Sequence, residues 1–388
     1  MKILFVLYFD ITESSQIGVT KKIRYQVDAM RYLNHDVDVA YCREGKFIVE
    51  SENSGNKEYE APCGRTHYRK SILKVLNQIS PEYDMIYIRF PGSIDYYLYK
   101  TFSMIRDKGT KVVLEMPTYP IGGEMIDILK TLLNQHKYVQ VIKRGIVYGI
   151  HKVLSRRISK KVTCIVSYSD YEYIWGTKVI NIENGINCED VVKKQITKNE
   201  RNEIHLLFVA VFAIWHGLDR VIKGLDQYYK TKKDDEPEIE LTLVGESEEL
   251  ERIINSEEFL SVKEHIRVLG KKYGHELDKE YDRADIAISS LGMHRIGLTQ
   301  GSTLKTREYC AKGIPFIYGY RERGITESFP YALRVAADES PVNIHDVISF
   351  YNHIKDRDYI NEMHEFSKKY DWKTQMRIFF EGLQLIEG

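Results

Sequence analysis

Lys305 and Glu308 stand one helical turn apart, behind a turn of small hydroxyl residues, in Gly301-Ser302-Thr303-Leu304-Lys305-Thr306-Arg307-Glu308. A Gly/Ser/Thr turn that opens a helix leaves amide N–H groups without intrahelical partners, and a cation one turn in adds charge of the same sign. Such a corner suits a diphosphate. A carboxylate one turn deeper accepts hydrogen bonds from sugar hydroxyls. Together these are the requirements of a nucleotide-sugar site. The competing reading is an exposed i,i+3 ion pair, which stabilises a helix by only about 0.2–0.5 kcal/mol.

The elements that must hold this corner are legible around it. The helix stops at Gly313, and Pro315 begins the apolar run Phe316-Ile317-Tyr318. The same alternation runs through the chain. Strands are expected at 3–8, 37–41, 85–90, 111–116, 162–167 and 178–182, with helices near 21–33, 71–79 and 95–106 and a long basic helix before 162. The polar segment 190–203 reads as a linker, after which strands recur at 205–211, 238–244, 266–269, 286–290 and 316–318. Short apolar runs between longer amphipathic ones predict the α/β class with mainly parallel sheets, in two domains. Ligands of such sheets sit beyond the carboxyl ends of the strands.

With 388 residues, 43% hydrophobic and 29% charged, the chain has a folded protein's composition and a length that suits two domains. Its formal net charge is zero, so overall electrostatics point to neither nucleic acid nor an acidic partner. The five cysteines, Cys42, Cys63, Cys164, Cys188 and Cys310, lack CxxC spacing. That argues against zinc and a disulfide framework and for a reducing compartment. The opening apolar run at 1–8 is too short to span a membrane and no signal-peptide pattern follows, so a cytoplasmic protein is expected. The absence of GxGxxG after either first strand, and of GxxxxGK[ST], argues against a dinucleotide dehydrogenase and a P-loop NTPase. Two Asp-x-Asp triplets, Asp36-Val37-Asp38 and Asp356-Arg357-Asp358, lie at a strand entry and in a charged helical stretch, so no essential metal is expected at the phosphates.

One segment departs from neutrality. Between Ile128 and Ser169 there is no acidic residue, yet nine bases occur, from Lys130 through Lys161, with apolar residues interleaved at helical spacing. A basic amphipathic helix of this kind can lie on an anionic membrane surface. The other reading is a core helix with a solvated basic face.

Read as a whole, the chain resembles the family-four (group 1) retaining glycosyltransferases of GT-B architecture. The likeness covers nearly the full length and is strongest in the second half. That family ends a strand with a Gly/Ser-rich loop, follows it with a Glu-bearing helix and Ala-x-Gly-x-Pro, and then another strand; here this reads Ser302 through Glu308, then Ala311-Lys312-Gly313-Ile314-Pro315. The resemblance implies two Rossmann-like parallel-sheet domains facing across a cleft that closes on the donor. These are 1–190 on the acceptor side and 204–370 on the donor side, with 371–388 a helix returning to the first. It implies that Glu308 binds the donor ribose, and that the backbone of Gly301, Ser302, Thr303 and Leu304 holds the diphosphate with Lys305 assisting. Gly245, in Val244-Gly245-Glu246, is similar to the family's strand-end pattern, Asn184-Gly185-Ile186 to the junction closing its first domain, and Val268-Leu269-Gly270 to the turn beside the base. The turn 10–19 would be a glycine loop facing the diphosphate, with Gly18 at the close approach; by itself Gly18 reads as a turn glycine.

Two positions depart from the pattern. Where the family often has a second Glu contacting the transferred sugar, this chain has Gln300. Where it often has Arg and Lys at the phosphates, this chain has Val211 and His216, and a protonated His216 would restore part of the charge. In the first half, Glu115 and Arg89 fall at strand ends. Glu115 orients an acceptor hydroxyl or anchors a loop; Arg89 contacts acceptor or phosphate, or pairs with Glu115.

The resemblance implies transfer of a sugar, with retention, from a nucleoside-diphosphate sugar (UDP- or GDP-linked, no other cofactor) to a hydroxyl acceptor. A lipid-linked or oligosaccharide acceptor in cell-surface polysaccharide or glycolipid assembly is expected, with membrane contact through 128–169 and a peripheral place on the inner face of the cell membrane. The alternatives are a catalytically inactive sugar-nucleotide-binding partner subunit and a GT-B-type nucleotide-sugar epimerase.

Overall fold

Strands that are apolar on both faces must be covered on both faces, and those of this protein are. The computed structural model describes residues 1–13, 17–61, 68–195 and 202–387. The chain forms two compact units, Met1–Gly185 with Trp372–Gly388, and Ile186–Asp371.

The first unit holds β1 (Lys2–Val6), β2 (Asp36–Arg43), β3 (Lys46–Glu50), β4 (Lys57–Glu60), β5 (Met85–Arg89), β6 (Lys111–Met116), β7 (Cys164–Ser167), β8 (Tyr173–Ile174) and β9 (Thr177–Asn181). They lie in the order β4-β3-β2-β1-β5-β6-β7-β9-β8. The run from β2 to β9 is parallel, while β3, β4 and β8 pair antiparallel at the edges. The period of two along β1 sorts its side chains. Leu4 and Val6 enter one core with Leu76, Leu98 and Phe102, and Ile3 and Phe5 enter the opposite core with Val27, Met30, Met376 and Phe379. The last helix, Trp372–Glu387, packs on helix Ile17–Tyr32 and on β9.

The second unit holds β10 (Glu203–Val209), β11 (Glu238–Val244), β12 (Ile266–Val268), β13 (Ile286–Ile288), β14 (Gln300–Gly301), β15 (Phe316–Tyr318), β16 (Arg321–Glu322) and β17 (Ala332–Arg334). Six of them form a fully parallel sheet, β12-β11-β10-β13-β15-β17, and β14 pairs with β16 beside it.

Three features differ from the sequence expectations. The antiparallel strands β3 and β4 were not anticipated; Glu44 and Gly45, at φ 47° and 81°, make the tight reversal that folds β3 back on β2. The long basic helix is two helices, Gly122–Asn134 and Tyr138–Ser155, which pack on each other; the chain breaks at His136, with φ 55°. The boundary between the units falls earlier than the expected linker. The first unit closes at Gly185 rather than at 190, and Lys194 is buried in the second unit, its amide donating to the Lys312 carbonyl at 2.8 Å and its ammonium to the Ala284 carbonyl. The rest of that segment, 196–201, lies outside the described residues, as do Cys63 and residues 14–16 of the expected glycine loop.

Candidate functional site

In the second unit the loops after β10 and β13 meet, the Leu291 amide donating to the His216 carbonyl at 3.0 Å, and the second of them leads into helix Leu304–Lys312. Thr303 caps this helix, accepting from the Thr306 amide, and Gly313 ends it at φ 75°. The amides of Leu304 and Lys305 have no carbonyl one turn back to bond. Lys305 is the decisive side chain. Its Nζ is buried, makes no hydrogen bond, and lies 5.5 Å from the centroid of the Phe208 ring. Burial pulls its pKa down to about 7, against a partial restoring pull from Glu308. The exposed ion-pair reading of Lys305 and Glu308 therefore fails: the ammonium is enclosed and no carboxylate is hydrogen-bonded to it. Glu308 is half-buried and accepts from the Tyr281 hydroxyl.

His216 lies in a single 3₁₀ turn, Ile214–His216, closed by Gly217 at φ 68°. A side chain at 217 would bring a Cβ to 3.0 Å from that of Leu291, so glycine serves both the backbone angle and the contact. Phe208, under Lys305, also packs edge-on to the His216 ring at 6.2 Å. The expectation of a protonated His216 is corrected. Burial and the neighbouring Lys305 charge bring its pKa down to about 3, and its Nδ1 accepts from the Ala213 amide at 3.0 Å. His216 is a neutral imidazole with Nε2–H left as a donor, and supplies a dipole rather than a charge. Val211, the other departure, is 71% exposed.

Gly245 follows β11 at φ 139°, and a Cβ there would lie 1.7 Å from the Ala210 carbonyl oxygen. Its amide donates to the Gly270 carbonyl at 2.8 Å, which draws the ends of β10, β11 and β12 together. Gln300 and Gly301 are held by β16, and Ser302 accepts from Arg307 at 2.8 Å. The structure thus gathers Lys305, His216, Gln300, Gly301, Ser302, Thr303, Leu304, Glu308 and Gly245 in one unit.

Sequence reasoning missed what holds this corner. Arg307 and Glu322, both at 0% side-chain exposure, meet at 3.0 Å. Glu322 also accepts from the Thr306 hydroxyl at 2.9 Å, the Tyr320 hydroxyl at 2.5 Å and the Thr303 amide at 3.3 Å, so it ties the cap residue from below. Arg295 rivets the His216 turn. It binds Asp219 through two contacts at 2.8 and 2.9 Å and donates to the Ile214 carbonyl at 2.9 Å. Glu322 sits in the charged run Arg321-Glu322-Arg323, which reads as a solvated loop; nothing local marks it as buried.

The first unit carries Gly18, Arg89 and Glu115. Gly18 lies in the first turn of helix Ile17–Tyr32, and a Cβ there would meet nothing within 4 Å among the described residues. Of the readings left open, the structure has Arg89 paired with Glu115, which makes Glu115 a buried counter-ion. It is 0% exposed, accepting from Arg89 at 2.7 Å and the Tyr168 hydroxyl at 2.6 Å, with the Lys22 ammonium at 3.7 Å. Burial pushes its carboxyl up, but Arg89, Lys22 and the hydrogen bonds outweigh this and hold it below the usual range. Lys22 also donates to Asn184 at 2.6 Å, and burial brings its pKa down to about 7.

Two parallel-sheet α/β units in one chain, with strand-end loops that meet ahead of a helix start in the second, define the GT-B class of fold. Residues 190–359, most of the second unit, match the family model described as glycosyl transferases group 1. No curated protein matches the chain by sequence. Among solved structures, a glycosyltransferase from Rickettsia africae aligns with a TM-score of 0.63 at 12% identity, over 99% of this chain and 98% of that one. HepE from Anabaena in complex with UDP-glucose aligns at 0.56 and 12%, over 98% and 99%. The catalytic domain of starch synthase IV from Arabidopsis thaliana, bound to ADP and acarbose, aligns at 0.59 and 10%, over 100% and 99%.

Proposed function

We propose that this protein transfers a sugar from a nucleoside-diphosphate sugar, UDP- or GDP-linked, to a hydroxyl acceptor with retention. The observation that carries the reading is Lys305, a buried ammonium with no hydrogen-bond partner in the first turn of a helix, where the leading amides lack intrahelical acceptors. A buried cation without a counter-ion is costly, and an anion arriving at the helix start removes the cost. Departure of the nucleoside diphosphate develops negative charge on the phosphate oxygens. The Leu304 and Lys305 amides, the Lys305 ammonium and the His216 Nε2–H are placed to stabilise it. Glu308 takes the ribose hydroxyls and Gln300 the transferred sugar. The bond from the anomeric carbon to the phosphate oxygen breaks as the acceptor oxygen bonds on the same face, and the acceptor proton passes to the leaving phosphate. Complexes of similarly folded proteins with UDP-glucose and with ADP support a donor of this class.

The acceptor in this reading is a lipid-linked or oligosaccharide glycan in cell-surface polysaccharide or glycolipid assembly. The protein works from the cytoplasmic side, peripheral to the membrane through 128–169. Among the described residues, no helix is long and apolar enough to cross a membrane. A second reading, an inactive sugar-nucleotide-binding partner subunit, is favoured by the exposed apolar Val211 and the neutral Gln300. Calorimetric titration of UDP, GDP, ADP and CDP into wild type and Glu308→Ala tests the donor site. One nucleotide binds tightly, and the substitution weakens it about tenfold, roughly 1.4 kcal/mol. Binding by none of the four defeats the assignment; binding without diphosphate release from any sugar nucleotide selects the partner-subunit reading.

A further inference from the structure

Helix Tyr138–Ser155 turns apolar side chains away from the protein. Val139, Ile142, Ile146, Ile150 and Val153 recur at spacings of three and four residues and so form one stripe along the helix. They are 66%, 63%, 58%, 43% and 54% exposed, while His151 and Ser155, on the opposite side, are buried. The core-helix reading of this segment is therefore wrong: what faces solvent is apolar. By helical geometry Lys143 flanks the stripe on one edge, and Lys152 and Arg156 on the other. Among the described residues no carboxylate pairs with Lys152 or Arg156, and the sequence offers none between Ile128 and Ser169.

Next to the Lys152 edge lies a cavity of about 620 Å³, lined by Tyr119, Tyr148, His151, Lys152, Arg156 and Trp175 among others. Its aromatic wall is packed, with Trp175 edge-on to His151 at 5.1 Å and to Tyr119 at 6.0 Å. The His151 Nδ1 accepts from the Ile94 amide at 3.1 Å, which leaves its Nε2–H as a donor. Two cations with no paired carboxylate among the described residues, beside a neutral donor and aromatic walls, suit a phosphate carrying a small polar group, and the volume is that of a small-molecule site.

We propose that this helix docks on an anionic membrane, its apolar stripe entering the headgroup–acyl boundary and one phospholipid phosphate seating in the cavity between Lys152 and Arg156. A second copy of this chain is the poorer occupant. Two-fold pairing on this face would set bases against bases, with no acid in the segment to answer them. An anionic surface supplies the missing charge, and long basic side chains flanking an apolar stripe reach the phosphates while the stripe inserts. This deepens the membrane contact of the proposed function and is independent of the donor site.

Vesicle co-sedimentation of the full chain tests it, with phosphatidylcholine alone against phosphatidylcholine mixed with phosphatidylglycerol. Wild type is expected on the mixed vesicles and not on the neutral ones. The Lys152→Gln/Arg156→Gln pair weakens that binding by about thirtyfold. Ile142→Ser/Ile146→Ser weakens it by about tenfold or more. All four positions are solvent-exposed, and unchanged nucleotide titration of each variant confirms folding while keeping this test separate from that of the donor site. Glycerol phosphate in solution is expected to quench Trp175 fluorescence only weakly. The proposal is overturned if wild type ignores anionic vesicles, or if neither pair changes its binding. It is equally overturned if soluble glycerol phosphate binds as tightly as vesicles, or if ultracentrifugation shows a dimer that Ile142→Ser/Ile146→Ser dissolves.

Discussion

Arg307 and Glu322 meet at 3.0 Å with neither side chain exposed, and their shared network ends on the amide and hydroxyl of Thr303, the residue that caps the candidate donor helix. A buried pair of this kind contributes little net stability compared with apolar residues, yet loses much when one member goes. Arg307→Met strands the Glu322 carboxylate and is expected to cost about 3–5 kcal/mol in urea unfolding. It should also weaken nucleotide binding, because the cap residue loses its anchor. A loss below about 1 kcal/mol would mean that the pair does not hold the loop.

The pKa of Lys305, near 7 in the free protein, gives donor binding a pH signature. A bound diphosphate favours the protonated amine, so the pKa rises on binding and a proton is taken up between the two values. Affinity should fall about tenfold per pH unit above 7 until the bound-state value is passed. Calorimetry in buffers of different ionisation enthalpy measures the uptake, and Lys305→Met should abolish it. The same shift sets stability. The pKa is depressed from 10.5, so the cost of the buried amine is full below pH 7 and fades towards 10.5. Lys305→Met is therefore expected to stabilise at pH 6 and to lose that advantage in alkali. Flat binding from pH 7 to 9 would contradict the placement of this ammonium at the phosphates.

His216, held near pKa 3, stays neutral across the working range. Nucleotide affinity should therefore show no step near pH 6.5, and His216→Gln, which keeps a donor, should bind better than His216→Phe. Arg295→Ala releases Asp219 and the Ile214 carbonyl together and should weaken binding about tenfold without touching the ligand. Equal affinities for Gln and Phe at 216 would remove the imidazole from the site.

Glu115 is expected to matter for stability rather than for chemistry. Glu115→Ala leaves Arg89 and Lys22 buried without their counter-ion and should cost about 3–5 kcal/mol at neutral pH. Since the folded carboxyl titrates below its ordinary 4.5, the stability it contributes is present above 4.5 and lost as pH falls through the lowered value. The difference between wild type and Glu115→Gln should vanish in acid. A variant of full stability with reduced kcat would restore Glu115 to the chemistry.

Gly245→Ala probes the strand-end turn. The backbone angle there disfavours a side chain, and the added Cβ would collide with the Ala210 carbonyl, so the turn must open. Destabilisation of about 2 kcal/mol or more is expected from thermal unfolding. A neutral outcome would show that the ends of β10 and β11 tolerate separation.

How far the sequence reaches is clearest around Glu308. The small-residue turn, the helix, the stop at Gly313 and the strand after Pro315 all stand where local rules put them, because caps, left-handed glycines and apolar periodicity act over a few residues. The parallel α/β class followed from the same periodicity repeated along the chain. Determined elsewhere were the depths. Glu322 stands in a charged run and is buried; Glu115 stands at a strand end open to either a cleft or an anchoring role and is buried too; the stripe from Val139 to Val153 fits a core face or a membrane face and is exposed. Whether a face is covered depends on which distant segment packs over it, and periodicity names the face without naming the cover. The charge state follows burial: Lys305 and His216 carry their chemistry as residue types, but desolvation by neighbours remote in the chain decides that one is an enclosed cation near its titration point and the other a neutral donor.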